Sequence, residues 1–179
     1  MQQVEAGKID LDADINTYIS TQSWVGLTKT LKFDAKGELR SWWTPADKTA
    51  WTLLGSRVAT QYGAYEFPGV KGAKVNGTLT QEENLADIAG LELAWAAYTA
   101  QEPKAKPAQQ QGFFRAWAAL WPQQLSPNEA ARRLTADIRA PGRWRTNGPL
   151  SNLPAFGASF SCKPGQPMVQ AGDKQVVIW

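Results

Sequence analysis

The 179-residue chain contains no histidine. That absence excludes an HExxH zinc motif, a Ser-His-Asp triad and a Cys-His dyad built from its own side chains. Its one cysteine, Cys162, excludes an internal disulfide and says little about compartment. No apolar run approaches the roughly 20 residues of a membrane-spanning helix, and Met1 is not followed by a signal peptide. Neither a membrane segment nor an export signal is therefore expected. Strand signals are scarce, and residues Val176 to Trp179 form the only β-like run. A net charge of +3 is too small to suggest nucleic acid by itself.

What is present fits one domain with a real core: 43% hydrophobic and 20% charged residues, an ordinary globular balance. Nine tryptophans exceed the usual share, and such rings either line peptide- or sugar-binding clefts or fill cores. Helix signals dominate. Thr44, Pro45 and Asp47 supply an N-cap, a first-turn proline and an acid, with Trp51, Leu54, Val58 and Tyr62 along one side of the helix that follows. A Gly-rich connection runs over 63–79. The segment Gln101 to Gly112 reads as an exposed Pro/Lys/Gln loop, followed by a short aromatic helix from Phe113 to Trp121. Ser126, Pro127 and Glu129 form a second helix start, for a helix running to about Ala136. The tail from Asp137 onward is rich in Pro, Gly and Asn, with a short helix expected near Pro154 to Phe160. Mainly α is the expected class.

The stretch from Thr78 to Trp95 organises the rest. Thr80 and Glu83 have capping-box spacing, and Leu85, Ile88, Leu91, Trp95 and Tyr98 recur at helical intervals as one apolar face. Glu83 and Asp87, at i and i+4, share another face, where like charges repel. A bound cation, a nearby arginine or full solvation would relieve that repulsion.

Glu83-Asn84-Leu85-Ala86-Asp87 resembles the ENxAD motif of the neprilysin-like zinc metallopeptidases. The resemblance extends from Phe33 to Trp179. Residues 33–39, FDAKGEL, followed by Trp42, Trp43 and Thr44, are similar to the family's FDxxGxLxxWWT; Gln61-Tyr62 is similar to its QY; and Asn76 to Leu79 is similar to its approach to ENxAD. Residues 137–142, DIRAPG, resemble DxHxPG, and Arg145 with residues 147–152 resembles RxxGxLxN. Phe156, Phe160, Cys162 and Trp179 match the family's ending. Residues 1–19 look different: they resemble a segment that follows the nucleophile helix in serine beta-lactamase-like hydrolases, although no Ser in the chain has a Lys three positions later. The expected organisation is thus an N-terminal arm over 1–19 of different apparent origin and a neprilysin-like domain over 20–179.

The resemblance implies the C-terminal helical part of a thermolysin-like (gluzincin) catalytic domain, with irregular Gly/Pro-rich connections. It implies that Glu83 holds the place of a zinc ligand and that Asp87 supports a ligand from the second layer of contacts. It also implies that Arg145 binds substrate backbone carbonyls, a task suited to its fork of donors. Two departures put the chemistry in doubt. An ungapped count places the family's HExxH on Ser20 to Trp24, where neither ligand nor base is found, and Arg139, beside Asp137, stands where the family has its catalytic histidine. No cofactor is expected for this chain alone, against one zinc in the family. Arg139 is expected to pair with Glu83 or Asp87 instead.

Function then divides three ways. The chain is a degenerate, inactive peptidase domain retaining peptide or protein binding, or a zinc metalloendopeptidase restored by a chain that carries HExxH, or an enzyme of unrelated mechanism, for which no nucleophile–base pair is found. The first reading is preferred. Peptides and a complementing or identical second chain are the expected partners, because such a segment leaves apolar surface open to association. The run Arg132, Arg133, Arg139, Arg143 and Arg145, with Trp144 inside it, has a nucleic-acid-like composition, but no nucleic-acid fold accompanies it and no such partner is expected. Neprilysin-like proteins work mostly outside the cytoplasm, while this chain shows no export signal, so its compartment is left open.

Overall fold

The computed structural model describes residues 43–178. The arm at 1–19, the Ser20–Trp24 stretch, the Phe33–Leu39 motif, Trp42 and Trp179 lie outside the described residues. Contacts divide the chain into a unit of Leu53–Val177, which holds every site residue discussed below, and a second of Met1–Thr52 with Ile178–Trp179, whose described part is mainly the start of the first helix.

Helix α1 spans Pro45–Gly63 and starts as its sequence requires. The Thr44 backbone N–H donates to Asp47 Oδ2 (2.9 Å), and the Asp47 N–H donates to Thr44 Oγ1 (3.2 Å), so each residue caps the other's free amide. Trp51, Val58 and Tyr62 are buried, as the period-3.6 pattern predicts, with Leu54 half-buried. The connection that follows folds into a small turn-rich hairpin. Phe67 N–H donates to Ala73 O (2.8 Å) and Val75 N–H to Tyr65 O (2.9 Å). Gly69 and Gly72 supply the positive φ that the reversal requires (84° and 76°).

Five further helices are α2 (Gln81–Gln101), α3 (Pro107–Ala118), α4 (Pro127–Ala136), α5 (Gly142–Asn152) and α6 (Pro154–Ser159), before one 3-10 turn at Gly172–Lys174. No strand occurs among the described residues; one isolated bridge joins Glu66 and Lys74. The mainly α expectation is met among the described residues.

The core forms where α2, α3, α5 and α6 meet. Leu91, Phe114, Leu150 and Leu153 are its buried centre, with Trp95, Phe113, Trp117, Phe156, Phe160 and Met168 packed around them. The rings meet edge to face or offset, as their quadrupoles favour: Trp95–Phe114 at 4.8 Å between centroids, Phe114–Phe156 at 5.6 Å. At least part of the tryptophan excess is therefore core material.

Three expectations fail here. The Gln101–Gly112 segment is not a loop throughout, because α3 begins at Pro107, with the Lys106 N–H donating to Gln109 Oε1 (2.9 Å). The tail holds a second helix beyond the one expected near Pro154 to Phe160, α5, although Gly142, Gly148 and Pro149 are poor helix formers. Tertiary contacts with α2 and α3 support it where local propensity does not. Residues 176–178 do not form a strand, since the Val176 N–H is taken by the side chain of Asn152 (2.8 Å to Oδ1). Buried Asn152 also donates to Gln61 Oε1 (2.9 Å) and Gly148 O (3.0 Å), fastening the tail, α5 and α1 together.

Candidate functional site

Thr80 does not cap α2. Its backbone (φ −95°, ψ 3°) lies outside the extended region a cap residue adopts, and its side chain makes no capping bond. A turn over 77–80 already precedes the helix, so Thr80 Oγ1 donates back to Asn76 O (3.0 Å) and accepts from Asn84 Nδ2 (2.8 Å). Glu83 is thereby released from any capping duty. Leu85, Ile88 and Leu91 are buried as expected, and Trp95 and Tyr98 half-buried.

Glu83 and Asp87 lie one turn apart on the face of α2 that meets α5, and an arginine answers each. Arg145, in the first turn of α5, meets Asp87 fork to fork, Nε to Oδ2 and Nη2 to Oδ1, both at 2.8 Å. The pair is largely sheltered, with side-chain exposures of 18% and 9%. Arg139, in the turn before α5, brings Nε to 3.2 Å from Glu83 Oε2, at 52% and 32% exposure. One pair is doubly bonded and sheltered. The other is open.

Several neighbours fix these arginines. The Arg145 guanidinium lies over the ring of Trp121 at 3.7 Å, a cation–π contact that covers one of its faces. Trp121 sits just beyond α3, and Gly142 passes so close that a Cβ there would strike the Trp121 carbonyl. Gln123 Oε1 accepts the Gly142 N–H (3.0 Å), holding the start of α5. Asp137 Oδ1 accepts the Arg139 N–H (2.9 Å), while Asp137 Oδ2 lies 3.4 Å from Arg133 Nη1. Arg133 in turn reaches Glu129 at 2.7 Å, so a chain of charges leads from α4 to the Arg139 turn. Tyr62 is buried below, its hydroxyl against Gly148 and without a hydrogen-bond partner. Burial, then the charges of Tyr65 and Asp87, push its phenol well above the ordinary range, against a lowering by Arg145. Arg145 is itself raised, first by its hydrogen bonds to Asp87, against desolvation.

The sequence reading names Glu83, Asp87, Arg139, Arg145 and Asp137, and the structure gathers all five into one neighbourhood. Trp121 and Gln123 join them without having been named as site residues, and Tyr62, expected on the buried face of its helix and in the QY match, lies beside them. Trp121 carried a signal, as a ring just before the helix-stopping Pro122, but a period-3.6 pattern cannot show that a ring covers an arginine 24 positions on. The expected pairing of Arg139 with one of the two carboxylates is present, at Glu83. Of the basic run, Arg132, Arg133, Arg139 and Arg145 are all paired with acids, and Arg143 lies over Trp144 at 4.9 Å.

Among the described residues, no group of three or more His, Cys, Asp or Glu could hold a metal ion. Glu83 and Asp87 each face a guanidinium, and a catalytic zinc site needs three protein ligands. The described residues do not fit a zinc ion.

The model of Peptidase family M13 matches residues 27–176. The chain belongs to that family. Bovine endothelin-converting enzyme 1 is 34% identical over 146 residues, covering 76% of this chain, and Neprilysin-2 of Drosophila melanogaster is 32% identical over the same length. The chain spans about a fifth of these relatives (19% of each). Among solved structures, the zinc metalloprotease of Mycobacterium tuberculosis in complex with an inhibitor superposes with a TM-score of 0.76 at 28% identity, over 96% of this chain and 29% of that one. PEPO from Lactobacillus rhamnosis gives 0.69 at 31% identity, over 95% and 27%. Over the span it shares with them, the M13 chain resembles these relatives in sequence and in fold.

Proposed function

We propose that this chain is a neprilysin-like domain that holds no catalytic zinc with its own side chains and binds peptides through Arg145. The observation that carries this reading is the double pairing on α2: one guanidinium on Asp87, another on Glu83. Two carboxylates one turn apart repel, and the pairs with Arg139 and Arg145 relieve that repulsion. With no histidine in the sequence, neither a zinc-bound water nor a general base of the HExxH kind is available from this chain.

Arg145 is suited to hold a peptide. Asp87 takes its Nε and one bond from Nη2, and Trp121 covers a face, so the guanidinium is fixed with its outer edge available for a backbone carbonyl. Such pre-organisation lowers the ordering cost of binding. The test is binding of a labelled peptide pool in EDTA, by fluorescence polarisation, to the wild type and to Arg145→Lys. Metal-independent binding weakened by the substitution supports the reading; no binding to the folded wild-type chain rejects it.

A second reading is restoration of zinc metalloendopeptidase activity by a chain that carries HExxH. It draws support from the openness of the Arg139–Glu83 pair, which a metal brought by two incoming histidines could displace. Mixing the two chains with zinc and assaying peptide cleavage tests it. Cleavage lost in Glu83→Ala favours complementation, and none at any ratio rules it out.

A further inference from the structure

The two arginines differ in how much hydrogen-bonding capacity they have left. A guanidinium carries five N–H donors. Arg145 spends its Nε and one bond from Nη2 on the Asp87 fork, lies under Trp121 and keeps 18% of its side chain exposed. Arg139 makes its closest approach to Glu83 through Nε, at 3.2 Å, and is 52% exposed, with no second acid paired to it among the described residues. Its backbone is nonetheless held, because Asp137 Oδ1 accepts its N–H. Glu83 and Asp87 are one helical turn apart, so the two arginines meet α2 at adjacent turns, and Glu83 also acts electrostatically on Arg145. Exposed apolar side chains occur beside this pair: Ile138, which precedes Arg139, is 47% exposed, and Leu120, which precedes the Trp121 ring that covers Arg145, is 62% exposed.

We infer that Arg139 makes this a carboxylate-reading peptide site. Arg145 holds a backbone carbonyl while the outer edge of Arg139 receives a carboxylate of the same peptide, either its C terminus or an acidic side chain. This rests on the peptide-binding reading above and goes beyond it by naming the ligand's charge. Arg139 is the residue suited to the task because its guanidinium is permanently charged, matches a carboxylate with two parallel donors and is held by a weak, open pair. Glu83 then has two roles: it positions the Arg139 guanidinium, and it competes with incoming carboxylates so that only a peptide also anchored at Arg145 binds.

The test uses the full 179-residue chain in EDTA and one labelled Ala/Leu peptide in three forms: free C-terminal acid, C-terminal amide, and amide with one internal Asp. At least one acidic form is expected to bind about three- to fivefold more tightly than the plain amide, the yield of one half-exposed charge pair. Whichever acidic form gains identifies the source of the carboxylate. The gain should shrink as salt rises, a readout that needs no variant. Arg139→Gln, checked for helix content by circular dichroism, should abolish the preference for the acidic forms. Equal binding of all three forms by the wild type would overturn the inference and leave the peptide-binding reading standing, as would an acid preference that survives in Arg139→Gln. Failure of every form to bind would reject both.

Discussion

Arg145 and Arg139 show how burial sets the value of a charge pair. Asp87→Asn leaves a largely sheltered guanidinium without its fork, and we expect a loss of about 2–3 kcal/mol in urea unfolding, somewhat below that for a fully buried pair. Arg139→Ala, at a half-exposed pair, should cost no more than about 1 kcal/mol. Equal costs would contradict the distinction drawn between the two pairs. Tyr62 tests the opposite case. Its buried hydroxyl has no hydrogen-bond partner, so Tyr62→Phe should be neutral or stabilising by up to about 1 kcal/mol, whereas Gly148→Ala, whose Cβ would strike that ring, should cost about 1–3 kcal/mol. At this scale the sequence was legible for charges and silent on neighbours. Two carboxylates at i and i+4 announce an electrostatic need, and the family likeness named the arginines. That Trp121 covers Arg145 is a fact of tertiary packing, with no local trace.

At the scale of elements, legibility followed the caps. The Thr44/Asp47 box and the Ser126 cap both form, the latter with Glu129 N–H donating to Ser126 Oγ (3.3 Å). The Thr80/Glu83 spacing is the same signal, but a preceding turn had already taken the cap's place. Helix α5 was hidden because Gly142, Gly148 and Pro149 read locally as loop, while Asn152 and the α2 contact decide the matter from a distance. Asn152→Ala should therefore loosen the tail more than the helices. Hydrogen exchange should show the Val176 amide losing protection while α2 amides keep theirs; uniform loss would contradict a local fastening. In α4, bonds from Arg132 and Arg133 lower the Glu129 carboxyl from its usual value to about 2. The native form binds that proton more weakly than the unfolded chain, so the pairing contributes fully above the ordinary carboxylate range. It fades as the pH falls through about 2. A carboxyl-carbon NMR titration should give that midpoint and move it upward in high salt, because the cluster is exposed.

At the scale of the whole molecule, the chain shares the fold of its M13 relatives, and two guanidiniums meet the carboxylates of α2. Family and helical class were readable because several motifs occur in order along the chain, and the 27–176 match and the superpositions agree with them. The central claim is that arginines, and no zinc, answer the carboxylates of α2. Zinc content by elemental mass spectrometry, on protein dialysed against micromolar zinc, tests it most directly. The account predicts a ratio near zero. One zinc per chain, abolished by Glu83→Ala, would contradict it.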